Sequence, residues 1–515
     1  MLEYTKQPRG YEMPNNDSTS YVQMKHRSYD AAAEKWKLIR SVVSGDVNDY
    51  LRNVGATESD CTVGKSRQKE YEDGAIYYNF TKRTVDGMVG SVFRKDPEIE
   101  LPPQLEYLFD DSDGNGQGVV QQSQDVTREL IELGRGGLFV DTPSAPVNES
   151  GETKAVTLQD QRDGKINPKI QFYPAESIIN WRTERFGSVN KLRMIVLREE
   201  YEYQSGDNKY LWLTGFQYRT LELDNEGNYM QTVTKFNQSG EAVGGDESYI
   251  PVSNGQRMTE IPFAFIGADN NDYTIDEPPM LPLANLNIGH YRNSADNEDF
   301  LHILGQAMLT VSPSDAMSAK WKEYNPEGVK FGARAGLVLG QGGTAQILQA
   351  QPNNANSEEM KNKENRAIQI GAQLITPSSQ ETAEAARIKH GADTSVLSSI
   401  ANNVSDGYHK AIGWCAGFLG LGDDGYVFEL SKDFFMDKLS PEERAQWMAE
   451  IQMGITPKSY FYSAMRKTGQ IDPEATDEDI ESLLLDDSMS GGGLMGDMQT
   501  APQIDTQTDS QSEEA

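Results

Sequence analysis

Cysteine is nearly absent: Cys61 and Cys415 are the only two in 515 residues. They lie far apart and outside any CxxC or Cys/His spacing, so two reduced thiols are expected and disulfide, structural-metal and redox chemistry are not. Histidine is scarce as well. His26, His290, His302, His390 and His409 are isolated from one another, and none stands in HExxH or HxH spacing, so neither a metal nor a cofactor is expected. No run of about eighteen apolar residues occurs, and Met1 to Pro8 lacks a basic stretch followed by an apolar one, so neither a membrane span nor a signal peptide is expected. Positive charge is in deficit too, with 47 Lys and Arg against 79 Asp and Glu for a formal net charge of -32. A surface that coats nucleic acid broadly needs clustered Lys and Arg, so that class is excluded.

What remains is a large folded chain. A hydrophobic content of 37% suffices for real cores in about two to four domains, while a mean hydropathy of -0.63 signals a polar surface. Part of the acidity is local: Lys467 is the last basic residue, and 13 Asp and Glu follow it. The segment 486–515, rich in Gly, Ser, Gln and Asp, has little to bury and is expected to be a disordered acidic tail.

Apolar spacing predicts amphipathic helices over Tyr29 to Val43 and over Arg67 to Phe93, the second broken at Gly74 and Gly87 and stopped at Asp96-Pro97. A helix over Val119 to Leu133 closes on Gly134-Arg-Gly-Gly137 as turn residues, and Leu138 to Asp141 reads as a buried strand. From Ile170 to Ile266 the period becomes two. Ile178 to Trp181, Lys191 to Tyr203, Tyr210 to Leu223, Tyr229 to Phe236 and Phe263 to Ile266 read as strands of an antiparallel meander, with a hairpin turn at Asp224 to Asn228. Then come a helix over Leu283 to Leu304, a β module about forty residues long, a helix over Glu358 to Leu374, a break at Thr376-Pro377, and a long helix. That last helix carries Val396, Ile400, Val404, Tyr408, Ile412, Cys415 and Leu419 as an apolar stripe expected to face another helix. The helix over Leu283 to Leu304 is polar through its middle, which suggests contact with water or with further copies of the chain.

Reactive chemistry is hard to find. Gly64-Lys65-Ser66 resembles the end of a phosphate-binding loop but lacks the Gly five residues earlier and the preceding strand. Gly114, Gly116 and Gly118 have the wrong spacing for a dinucleotide site and follow acidic residues. Glu381 and Glu384 open a helix, where carboxylates offset the dipole, so an acidic hydrolase is the weaker of two alternatives to a non-enzymatic protein.

Four segments carry a family resemblance: Tyr77-Tyr-Asn-Phe-Thr-Lys-Arg-Thr-Val-Asp-Gly-Met-Val-Gly-Ser-Val-Phe-Arg-Lys-Asp-Pro97, Leu133-Gly-Arg-Gly-Gly-Leu-Phe-Val-Asp141, Leu286-Asn-Ile-Gly-His-Tyr-Arg-Asn-Ser-Ala-Asp-Asn-Glu298 and Glu381-Thr-Ala-Glu-Ala-Ala386. Together they resemble the tailed-bacteriophage portal proteins, in a branch catalogued as a domain of unknown function. The resemblance runs from about Tyr29 to about Leu485.

It implies an α+β portal fold: an N-terminal arm (1–28), a wing of helices and antiparallel sheet (29–282), stem helices (283–304 and 357–374) around a small β clip (305–356), a channel loop (375–382), a long wing and crown helix with the following strand (383–439), and a crown (440–485). It implies a ring, typically a dodecamer, at one capsid vertex, assembled in the bacterial cytoplasm and retained in the virion. Double-stranded DNA would pass through the channel, with the major capsid protein, terminase large subunit and tail or adaptor proteins as partners. On this plan Lys361, Lys363, Arg366, Ser378, Ser379 and Gln380 are candidates to face DNA. Lys320, Trp321, Lys322, Tyr324, Lys330 and Arg334 are candidate clip contacts, and Arg292, Asp296, Glu298 and Asp299 candidate contacts between subunits. Ordinary surface charges and a small clip core around Trp321 account for the same residues equally well, and another virion ring component is the other alternative.

Overall fold

The computed structural model of the protein describes residues 21–54, 62–142, 167–204, 208–253, 256–305, 308–312, 320–321, 323, 342–348, 355–375, 395–422, 425–432, 434, 441–453, 455–467, 471 and 475–482. Helix α1 (Tyr29–Ser44) buries Ala32, Trp36, Ile39 and Val42, one residue per turn. Helices α2 (Thr62–Gly74) and α3 (Phe80–Val92) replace the single broken helix the spacing suggests. The break falls before Phe80 because the Asn79 side chain accepts from the Lys82 amide at 2.9 Å and so caps α3. Gly87 lies inside α3, where it weakens the helix without ending it. Gly64-Lys65-Ser66 is part of α2, so it forms helix and no phosphate loop.

After β1 (Glu98–Glu100), the glycine-rich segment folds on the Asp111 side chain, which accepts from the Gly114 and Gly116 amides at 2.7 and 2.9 Å and from Lys169 Nζ at 2.7 Å. Helix α4 (Val119–Leu133) leads into β2 (Arg135–Asp141). Here the structure corrects the expectation that 134 to 137 is all turn. Only Gly134 turns, at φ 74°, with its amide bonded to Leu130 O. Gly136 and Gly137 belong to the strand, and a Cβ at Gly137 would fall 2.2 Å from the Phe263 ring. Glycine is there because two packed elements approach closely.

The strands β3 (Lys169–Pro174), β4 (Ile178–Phe186), β5 (Val189–Gln204), β6 (Trp212–Leu223), β7 (Tyr229–Phe236), β8 (Ala242–Tyr249), β9 (Val252–Ser253), β10 (Gln256–Arg257) and β11 (Phe263–Gly267) follow. Strands β4 to β7 form an antiparallel meander in chain order as expected, but its fifth strand is β8, whereas Phe263 to Ile266, expected in the meander, pairs with β2 in a different sheet. Strand β8 escapes hydrophobic patterning because its described residues are almost all exposed. Polar cross-strand pairs hold it: Thr234 to Asp246 at 2.7 Å, Thr232 with Ser248 at 2.9 Å and Lys235 with Glu247 at 3.1 Å.

A second sheet has the order β11-β2-β3. Both its faces are covered, which explains the unbroken apolar runs of β2 and β11. Leu138, Val140 and Ile266 enter one core with residues of α1, α3 and α4, whereas Phe139, Phe263 and Phe265 enter another with Ile178, Ile195, Leu221 and Tyr229 of the meander. The period of two sends neighbouring residues into different cores.

Beyond it come α5 (Leu281–Leu304), β12 (Met308–Ser312), β13 (Thr344–Leu348), α6 (Ala355–Ile375), α7 (Val396–Phe418) and β14 (Val427–Glu429), which pairs with β1. Ser395 caps α7 by accepting from the Ser398 amide at 3.1 Å. The stripe on α7 does not face a helix alone. Ile400, Val404, Tyr408, Ile412 and Cys415 are buried, and Gly407 meets the Ile266 and Leu138 side chains of the β11-β2 sheet. Tyr408 Oη donates to Gln122 Oε1 of α4 at 3.1 Å. Residues 381–394 of the expected long helix lie outside the described residues.

Residues 1–434 make one unit and 435–515 another. The second holds α8 (Pro441–Gln452) and α9 (Lys458–Lys467), with the Trp447 and Phe461 rings 6.2 Å apart. Proline stands at the first position of α8, where its missing N–H costs no helical hydrogen bond.

Candidate functional site

The segment from α5 to α6 is the candidate site. Strands β12 and β13 pair antiparallel with Met308 opposite Leu348, which brings the end of α5 beside the start of α6. Midway along, His290 of α5 and Glu364 of α6 meet at 3.2 Å. The two helices therefore run antiparallel as a hairpin. At 24 residues, α5 is about 36 Å long.

The polar middle of α5 is explained within the chain. Arg292 Nε donates to Tyr50 O at 2.8 Å, and Asp296 accepts from Tyr71 Oη at 2.7 Å and faces Arg52 at 3.3 Å. Asp299 holds Arg67 at 2.6 Å. Burial and the hydrogen bond to Asp296 push the Tyr71 hydroxyl well above its usual range, and the bond to Asp299 raises the Arg67 guanidinium. Asn287, wholly buried, accepts from Thr81 Oγ1 at 2.9 Å and donates to Tyr78 O at 2.9 Å. Three of the four charges expected to meet neighbouring subunits, Arg292, Asp296 and Asp299, thus have partners near or within the N-terminal helices. Glu298 is half-buried on the same helix.

On α6, Lys363 turns inward. Its Nζ donates to Asn293 Oδ1 and to Gly289 O at 3.4 Å, so it ties the hairpin together. Lys361 and Arg366 are exposed, in company with exposed Glu358, Glu359, Asn362, Asn365 and Gln369. That face mixes both signs and amides. Ile368 is 71% exposed and borders a groove of about 550 Å3 with Phe80, Thr84 and Gly87 of α3. In the β module Lys320 is exposed and Trp321 half-buried, both helical. Lys322, Tyr324, Lys330, Arg334, Ser378, Ser379 and Gln380 lie outside the described residues.

Two charge clusters elsewhere had no sequence signal. Arg40 of α1 binds Glu129 at 2.6 Å, Glu132 at 3.0 Å and Glu176 at 2.9 Å. Arg135 is 2% exposed, its guanidinium 4.4 Å from the Trp181 ring centre and 4.6 Å from that of Phe265. No group of three or more His, Cys, Asp or Glu able to hold a metal occurs among the described residues.

Residues 279–419 match the family model described as "Domain of unknown function (DUF4055)", which spans α5 to α7. No curated protein matches the chain in sequence. Among solved structures, the chain is similar to one in the virion of a native gene transfer agent particle, at 15% identity and a TM-score of 0.37, over 73% of this chain and 87% of that one. It is similar at 16% identity, with the same TM-score and coverage, to a chain from the neck of a native gene transfer agent particle computed with C12 symmetry. At that level these are distant similarities.

Proposed function

We propose that this protein is a non-enzymatic virion component of a tailed bacteriophage, and within that class the portal. Copies form a ring at one capsid vertex, and DNA enters and leaves through its channel. The observation that carries the reading is the hairpin of α5 and α6 around the β12-β13 pair, within the segment that the family model matches. The motif resemblance supports it, and so does a virion and neck origin for the similar solved chains.

The solvent face of α6 suits a conduit. A sliding polymer must not be held, and every phosphate contact adds affinity by releasing counterions. Lys361 and Arg366 stand among Glu358, Glu359 and neutral amides, so attraction along the helix is weak and interrupted. Ring neighbours pack heterologously, each offering one surface to a different surface of the next copy. The β module between the stem helices faces the packaging terminase and later the tail adaptors, and the meander side faces the capsid protein.

Native mass measurement and single-particle imaging of the purified assembly test this. A closed ring with α5 and α6 beside the central opening is the expected result. A stable monomer, or a ring whose opening is lined by other elements, refutes it.

A further inference from the structure

A second cleft, of about 500 Å3, opens at the start of α1, away from the α5-α6 hairpin. His26, Arg27, Ser28, Trp181, Arg182 and Thr183 line it. In a chain of net charge -32 the cationic character of this spot is unexpected. Arg27 and Arg182 are exposed and form no ion pair among the described residues. Behind the wall sits Arg135, over the Trp181 ring, donating from Nη1 to the carbonyl of Thr274, another residue of the cleft, at 2.6 Å. Its Nε and Nη2 are buried without a hydrogen-bond partner.

Asp276 and Asp272 offset the Arg135 charge in part through space, but no carboxylate among the described residues bonds to it. Asp276 accepts from the Asp269 amide at 2.8 Å, Asp272 accepts from the Thr274 amide and hydroxyl at 2.6 Å, and Asp30 pairs with Lys25 at 3.2 Å. None bonds to Arg135, Arg27 or Arg182. The polar lining supplies donors. Ser28 begins a 16-residue helix yet makes no capping bond with its side chain, leaving the hydroxyl free beside the positive end of the helix dipole. His26 stacks on Trp181 at 4.0 Å and accepts the Ser28 amide on Nδ1, which leaves the proton of the neutral ring on Nε2 as a donor. Burial, then Arg27 and Arg135, hold the His26 imidazole below its ordinary value.

We propose that this cleft binds a phosphate-class oxyanion, with Arg27 and Arg182 as the clamp, Ser28 and Thr183 as hydroxyl donors, and buried Arg135, two of whose nitrogens lack a hydrogen-bond partner, behind them. Guanidinium pairs suit such a ligand because their donors match its oxygens in geometry and sign. Free phosphate and the phosphodiester of a nucleic acid share this chemistry. The site lies within a single chain, so the inference does not depend on the ring reading.

Calorimetric titration of the full chain at fixed ionic strength tests it, with inorganic phosphate in one arm and a short DNA duplex in the other. The variant is Arg27→Ala with Arg182→Ala, and Arg185→Ala, an exposed arginine of β4 outside the cleft, is the control. Saturable phosphate binding, weakened about tenfold or more per arginine in the double variant and unchanged in the control, supports a free oxyanion. Duplex binding with the same pattern and no phosphate binding supports the phosphodiester. Absence of both, equal binding by the double variant, or an equal loss in the control overturns the proposal.

Discussion

Replacing Glu129 with Gln should stabilise the protein at pH 8 and make no difference in acid. One guanidinium, Arg40, is shared by Glu129, Glu132 and Glu176, so the cluster carries excess negative charge. Glu129 is 5% exposed, and burial, with Glu176 adding repulsion, outweighs the pull of Arg40 and lifts its carboxyl from 4.5 to about 7. A carboxyl raised on folding contributes stability that is complete below pH 4.5 and lost as pH climbs through about 7. At 1.36 kcal/mol per pKa unit, the loss by pH 8 is about 3 kcal/mol. Glutamine resembles the protonated acid and keeps an acceptor for the Ala175 amide, which Glu129 now binds at 3.0 Å. The assay is urea unfolding of both proteins from pH 4 to 8, reading the difference between them, because other carboxylates cancel. A variant that is less stable at pH 8, with a gap closing on acidification, would show that the ion pairs outweigh burial and refute the reasoning.

Other outcomes follow from the same structure. Arg40→Met leaves buried carboxylates unpaired and should cost about 3 kcal/mol at pH 8, less at pH 5, where the raised carboxyls of Glu129 and Glu132 take up protons; urea midpoints at the two pH values read it. Ile412→Ala empties a wholly buried site between α7 and its neighbours and should cost about 2–5 kcal/mol by chemical unfolding. Gly134→Ala places a Cβ in the left-handed region and 3.3 Å from Glu277 O, a loss of roughly 1–2 kcal/mol visible in the melting temperature. Lys363→Met removes the donor to Asn293 and Gly289, so amide exchange in α5 and α6 should rise while the α1 to α4 core stays protected.

The repeating patterns were legible in the sequence because they are local. Periods of 3.6 and 2 follow from backbone geometry, so α1, α4, α5, α6 and strands β5 to β7 could be read within a few residues of their observed bounds. Caps and turns were legible for the same reason: Asp224 does accept from the Glu226 and Asn228 amides at 2.8 Å, closing the predicted hairpin. Polar β8 was not, since its strand identity comes from its partner β7. Nor was the strand role of Gly136 and Gly137, which depends on aromatic rings supplied by β3 and β11.

The candidate site divides in the same way. Charges along α5 were visible in the sequence, and so was the hairpin order that frames them. Their partners Tyr50, Arg52, Arg67 and Tyr71 lie more than 200 residues earlier, and only folding shows that they answer Arg292, Asp296 and Asp299. Likewise Arg135 reads as one more basic residue beside two glycines until β2, β4 and β11 close around it. Sequence determined where the amphipathic helices and the patterned strands form, because their periodicity is settled by neighbours along the backbone. Tertiary structure decided which charges are paired, shared or left without a partner, because electrostatic energy depends on distance through space and on burial, and neither is written locally in the chain.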